Sequence, residues 1–259
     1  MTMSYFCDKY PVIEKKTLAG GIFSITVKCP DAAKAAEVGQ FANILADGYT
    51  LRRPISICDI DKEAGTLRFV FEVRGKGTEI ISRVNVGDNL DILGPLGNGF
   101  NAPAGKKIVA VGGGIGVPPL LGLAKQFGAD CTAILGFRSY DKIILDKEFA
   151  AYGAKTIVCT DDGSVGHHGV VTTPLTEALA SGDVGMVCAC GPEPMIRAVV
   201  KECEDNNVPC RVSLEQRMGC GVGACVVCSC MTVRGGKEYY ARVCKDGPVF
   251  DAKEVRFDG

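Results

Sequence analysis

The chain has 259 residues, 47% of them apolar, so it can bury one large core or two modest ones. Its formal net charge is -1, with 29 Lys and Arg against 30 Asp and Glu, which leaves no basic excess for a nucleic-acid partner. No apolar run approaches the roughly eighteen residues of a membrane span, and MTMSYFCDKYPV lacks the basic and apolar regions of an export signal, so a cytoplasmic protein is expected. In a reducing compartment the 14 cysteines are thiols rather than disulfides. Cys29, Cys58, Cys131, Cys159 and Cys188 lie inside apolar runs and read as small buried hydrophobes.

From the start to about Asn101 the pattern is period-two and turn-rich. GIFSITVKC, QFANILA, RRPISICDI, TLRFVFEV and DNLDILGPL read as strands separated by DGYT, DKEAGT, RGKGT and NVGD, which predicts a small antiparallel barrel over residues 1–101. Within it, Arg53 is placed to pair with a pyrophosphate and Ser56 to bond a flavin edge or a phosphate. In RGKGTEIIS, Gly75 and Gly77 open the backbone and Thr78 starts a helix whose first amides suit phosphate. A hairpin turn followed by a short helix reads the same segment equally well.

After NAPAGK the texture changes. Strands KKIVAVGGG, CTAILGF, KTIVCT, GMVCAC and PCRVSLE alternate with helical segments PPLLGLAKQF, PLTEALA and EPMIRAVVKECED, which predicts a parallel-sheet α/β domain over residues 102–215. The strand Lys107 to Val111 runs into Gly112, Gly113, Gly114 and Gly116, then a helix begun by Pro118 and Pro119. Glycines at such a turn let a dinucleotide phosphate reach the helix start, although Pro119 departs from the strict fingerprint. The loop after CACGPEPM lies at the carboxyl edge, where open sheets bind ligands, with Cys190, Gly191 and Pro192 beside a nicotinamide. Arg138, after the second strand, reads either as a 2′-phosphate partner or as a solvated loop residue. His167 and His168 read as loop residues without a catalytic role.

The tail, residues 216–259, is too Gly-rich to fold well alone, and a bound group is expected to organise it. Its spacing is Cys220-x4-Cys225-x2-Cys228, with Cys244 after fifteen more residues. Plant-type [2Fe–2S] sites use this spacing, and Gly219, Gly221 and Gly223 let the loop wrap the inorganic sulfides. A zinc knuckle is the alternative, but it more often pairs two C-x2-C units and only one is present. Cys230 reads as packed near the cluster rather than ligating it.

Taken in order, RRPISI, GKGT, GPLGNGF, GGGIGVPPL, CGPEPM, the cysteine loop and VCKDGPVF resemble the ferredoxin–NADP reductase superfamily and, within it, the electron-transfer subunits of type B (NAD-dependent) dihydroorotate dehydrogenase, over essentially the whole chain. The resemblance implies FAD in the barrel, held by Arg53, Pro54, Ile55 and Ser56, lined by Phe71, Glu72 and Val73, with its pyrophosphate on Gly77 and Thr78. It implies a [2Fe–2S] cluster on Cys220, Cys225, Cys228 and Cys244, and NAD rather than NADP. It also implies an FMN-containing partner that oxidises dihydroorotate, in a heterotetramer of two copies each. A subunit of NADH-dependent ferredoxin:NADP oxidoreductase is one rival, and a zinc-stabilised nucleotide-binding regulator the other. No acid–base dyad or serine triad is evident, as a converter between one-electron and two-electron carriers needs none.

Overall fold

The computed structural model describes residues 5–257; residues 1–4 of the N-terminal segment and residues 258–259 of the tail lie outside the described residues. The first lobe is a closed antiparallel barrel of β1 (Phe6–Ala19), β2 (Ile22–Lys28), β3 (Phe41–Ile44), β4 (Arg53–Asp61), β5 (Thr66–Glu72) and β6 (Asn89–Leu96), in the order β1-β2-β5-β4-β3-β6. The strand period puts Leu67, Phe69 and Phe71 of β5 inside with Ile55 and Ile57 of β4. The helices α1 (Pro30–Ala35) and α2 (Lys76–Ile81) add Ala32, Ala33 and Ile81 to that core. Five strands fall on the expected runs. The sixth, β1, closes the barrel between β2 and β6, and the sequence reading did not anticipate it. Of its fourteen residues only Val12 is buried, so it carries no apolar alternation, and Pro11 argues against a strand.

The outer face of β2, β4 and β5, through Ile22, Cys58 and Val70, packs on the second lobe. That lobe comprises β7 (Lys107–Gly113), α3 (Leu121–Phe127), β8 (Cys131–Phe137), α4 (Asp146–Ala151), β9 (Lys155–Thr160), β10 (His167–His168), α5 (Thr172–Ala180), β11 (Val184–Cys190), α6 (Glu193–Asp205) and β12 (Cys210–Ser213). Its parallel sheet runs β10-β9-β8-β7-β11-β12. Among the described residues three ion pairs cross between the lobes: Arg68 to Glu148 (2.5 Å), with Arg68 Nε also donating to Ser24 Oγ (2.7 Å), Lys125 to Asp59 (2.9 Å) and the exposed Arg74 to Glu215 (3.8 Å).

The strand after NAPAGK runs through Gly112 and Gly113, within the expected KKIVAVGGG run, but two local readings change. The prolines do not begin the helix directly: 3₁₀ turns at Gly114–Gly116 and Pro118–Leu120 precede α3. Pro118 and Pro119 lack the amide hydrogens that regular helical bonding uses beyond the first turn. His167 and His168 form a two-residue edge strand beside β9 rather than a loop.

The tail builds the hairpin β13 (Ser229–Arg234) and β14 (Lys237–Arg242), turned by Gly235 and Gly236 at φ 56° and 77°. It then returns as β15 (Val249–Asp251), antiparallel to β12, to complete a seven-stranded sheet. Phe41 and Leu96 of the barrel share one core with Cys228, Val243 and Cys244, so the cysteine lobe sits on the β3–β6 face. Asn98, just past β6, clamps the same region: its N–H donates to Gly247 O (2.6 Å) and its Nδ2 to Lys245 O (3.1 Å) and Asp246 O (3.0 Å). Among the described residues no helix is long and apolar enough to cross a membrane.

Candidate redox site

The four cysteines of the tail meet as two pairs. Within each pair the main chain of one cysteine bonds the sulfur of the other: Cys220 N–H to Cys225 Sγ, and Cys244 N–H to Cys228 Sγ. Each sulfur thus accepts a main-chain N–H: Cys225 from Cys220 (3.3 Å), Cys220 from Ala224 (3.2 Å), Cys244 from Gly223 (3.1 Å) and Cys228 from Cys244 (3.4 Å). Burial acts to raise the Cys220 thiol, but N–H donors from Val222, Cys225 and Ala224 and the neighbouring Cys225 outweigh it and hold it at about 6. Burial and the Cys228 thiol push Cys244 up to about 12. Among the described residues no three His, Cys, Asp or Glu side chains surround a single-ion position. Two pairs of sulfurs with N–H groups aimed at them suit a binuclear cluster better than one tetrahedral zinc. Cys230 lies on β13, half-buried against the core of this lobe, and desolvation raises its thiol to about 11.

The barrel end brings together two segments that the sequence separates. Arg53, opening β4, lies over Gly77, where any Cβ would collide with its guanidinium. The guanidinium stacks 4.9 Å from the Tyr49 ring centroid, and Nη1 donates to Leu51 O (2.5 Å). Tyr49 was not singled out from the sequence, since the stacking depends on the loop before β4. Thr78 Oγ1 accepts N–H groups from Arg74 (3.0 Å) and Gly75 (3.2 Å) and donates to Gly75 O (3.0 Å), so its hydroxyl is occupied. The first helical bond is Glu79 N–H to Gly75 O, so the amides of Lys76, Gly77 and Thr78 precede it and face outward from the helix start. An anion beside Arg53 meets both charge and donors there. Pro54 and Ser56 point away from the barrel interior, whereas Ile55 and Phe71 are buried inside it, Phe71 with its ring centroid 6.2 Å from that of Phe23. Glu72 is held by Arg74 (3.0 Å), and Val73 is half-buried, its N–H donating to Gly21 O (2.9 Å).

At the carboxyl edge of the sheet, β7 and β11 are neighbours, and their loops touch. A Cβ at Gly116 would overlap the Cys190 carbonyl and sit 2.6 Å from Gly191 Cα; one at Gly113 would lie 2.6 Å from Met195 Sδ and 2.9 Å from Pro192 Cδ. Gly112 packs in the same way against Val117 and Leu120. Gly114 differs: its φ is 54° and no heavy atom lies within 4 Å of a Cβ placed there, so it is the open position of the turn. Burial pushes the Cys190 thiol up to about 12 against a hydrogen bond with Ser213, which keeps it neutral. Arg138 is exposed after β8. His167 and His168 stand at the sheet's far edge, beyond β9 and β8 from β7, with the His168 ring against Gly163.

Residues 215–256 match the family model for the iron–sulfur cluster binding domain of dihydroorotate dehydrogenase B, and residues 110–201 match that for the oxidoreductase NAD-binding domain. The dihydroorotate dehydrogenase B (NAD(+)) electron transfer subunit of Geobacillus thermodenitrificans is 42% identical, with 96% of this chain and 98% of that one aligned. The chain belongs to this family. The electron transfer subunit of Streptococcus mutans is 40% identical over 97% of this chain and 98% of its own. The structure of the NADH-dependent reduced ferredoxin-NADP oxidoreductase superposes with a TM-score of 0.86 at 31% identity, covering 100% of this chain and 92% of that one. A ferredoxin reductase of carbazole 1,9a-dioxygenase, at 18% identity and TM-score 0.67 over 81% of this chain and 68% of that one, shares the fold. Barrel, NAD-binding sheet and iron–sulfur lobe together define a cofactor set of FAD, [2Fe–2S] and NAD.

Proposed function

We propose that the chain carries electrons, in the cytoplasm and in de novo pyrimidine (UMP) biosynthesis, from the FMN of a dihydroorotate-oxidising partner by way of [2Fe–2S] and FAD to NAD+, in a heterotetramer of two copies of each subunit. The pairing of the four tail cysteines, each with its own N–H donor, on the barrel face that adjoins β4 carries this reading. When bound, the cluster supplies single-electron transfer, the flavin one- or two-electron transfer, and the nicotinamide hydride transfer.

The residues then divide by task. Cys220, Cys225, Cys228 and Cys244 would hold the cluster as thiolates, each sulfur facing a main-chain N–H. Arg53 and the amides of Gly77 and Thr78 bind the FAD pyrophosphate. Pro54, Ser56, Glu72 and Val73 line the flavin, while Ile55 and Phe71 contribute through their main chain because their side chains fill the barrel. Gly114 admits the NAD phosphates; Gly112, Gly113 and Gly116 let the turn close on the Cys190–Gly191–Pro192 loop, which forms the nicotinamide floor.

The test is anaerobic purification with iron, sulfide and flavin assayed on one sample, followed by co-purification with the dihydroorotate-oxidising subunit. About two irons per chain with stoichiometric FAD, and dihydroorotate-driven NAD+ reduction only when both subunits are present, is the expected result. A colourless zinc protein would overturn it. The likeness to the ferredoxin-NADP oxidoreductase supports a second reading, which the same assay tests by replacing dihydroorotate and its subunit with reduced ferredoxin.

A further inference from the structure

Among the described residues three buried side-chain polar atoms have no hydrogen-bond partner, and two of them are the Nδ2 and Oδ1 of Asn43. Asn43 lies in the middle of β3 and is 1% exposed. On one side it pairs with Pro54 of β4, within the R-P-I-S run; on the other it pairs with Leu93 of β6. Its amide is pressed against the cysteine loop: a Cβ on Gly221, the residue after Cys220, would collide with Nδ2 and lie 3.4 Å from Leu96 Cδ1. Gly221 has a φ of 74°, so the loop takes a left-handed step at the point where it passes the amide.

A buried amide without a partner is destabilising, and a leucine of similar size would suit Phe41, Leu93 and Leu96 around it. Among the described residues no acceptor meets the amide, and the loop it touches is the one that carries Cys220 and Cys225. We infer that Asn43 donates its amide hydrogen to a sulfur of the [2Fe–2S] group held by that loop, and so acts as a positioning residue that joins the flavin-bearing strand to the cluster. The inference rests on the reading of the four cysteines as cluster ligands. A hydrogen bond to a cluster sulfur favours the reduced, more negative state, so Asn43 raises the cluster potential.

The experiment is an anaerobic redox titration of the holoprotein and its Asn43→Leu variant, followed by the electron paramagnetic resonance of the reduced cluster, with iron, sulfide and FAD assayed on both. The variant is expected to keep its iron and FAD, to show altered g-values, and to titrate lower. A tenfold fall in the reduced-to-oxidised ratio at a fixed ambient potential corresponds to ~59 mV. Unchanged g-values and potential at full iron content would overturn the role of Asn43 while leaving the cluster in place. A wild-type protein without iron would remove the cluster reading itself, and the inference with it. If the variant does not assemble its cluster, hyperfine spectroscopy of wild-type protein labelled with 15N in asparagine side-chain amides decides: a nitrogen coupling to the reduced cluster supports the inference, and its absence overturns it.

Discussion

Single side chains at this site do chemistry through what surrounds them. Cys225→Ser should lose the cluster and loosen the tail while FAD remains, read as loss of iron and sulfide at constant flavin absorbance. Retention of full iron would remove Cys225 from the ligand set. Arg53→Ala removes a charge-assisted contact worth ~1.5–3 kcal/mol, which predicts FAD binding weaker by about ten- to a hundredfold in a flavin titration. The Cys220 thiol is held at about 6, below its ordinary value of 9.0, by N–H donors that outweigh burial. A depressed value means that this stabilisation is complete above the ordinary thiol value and is lost as pH falls through about 6. In cluster-free protein, alkylation of Cys220 should therefore follow a titration centred near pH 6, whereas Cys190, pushed to about 12 by burial, should stay unmodified to pH 9; peptide mapping reads both.

At the scale of elements, the glycine turn and its facing loop behave as one unit. Gly116→Ala would drive a Cβ into the Cys190–Gly191 main chain, which has no rotamer with which to yield. NADH affinity should fall at least tenfold and thermal stability should drop, with iron and FAD contents unchanged; unaltered NADH affinity would mean that the turn does not shape the pocket. This level also shows what the sequence made legible. Runs with clean alternation, such as TLRFVFEV, and the cysteine spacing could be read directly, because strand period and ligand spacing are local properties. The role of β1 could not, since thirteen of its fourteen residues stay at least partly exposed and its pairing with β6 spans the barrel. The Gly235-Gly236 hairpin carried a usable signal, two glycines between alternating runs, that went unread. The inward turn of Ile55 and Phe71, the stacking of Tyr49 on Arg53 and the approach of Asn43 to Gly221 depend on which strand face meets which lobe. Spacing along the chain does not encode that.

The molecule as a whole is held by a few contacts between lobes. Arg68 bridges barrel and sheet while mostly buried, whereas Glu148 is 40% exposed, so solvent screening limits the pair to about 1 kcal/mol. Arg68→Met should lower the melting temperature by about 2–4 °C in calorimetry and leave all three cofactor sites loaded. A larger drop with loss of FAD would show that the pair also holds the flavin cleft in register.

The return of β15 to the sheet reaches beyond stability. Ser213 and Val249 are paired across β12 and β15, and Leu214 N–H donates to Pro248 O (2.9 Å), so the chain departs from the sheet and rejoins it at adjoining rungs. Everything between, including all four cluster cysteines, is one excursion with its two ends stapled side by side. Such an excursion is a cassette. The flavin barrel and the nicotinamide sheet lie on either side of it, and its Cys228, Val243 and Cys244 share one core with Phe41 and Leu96 of the barrel and Val187 and Val212 of the sheet. The barrel face of Phe41, Asn43 and Leu96 is the socket on which this excursion seats.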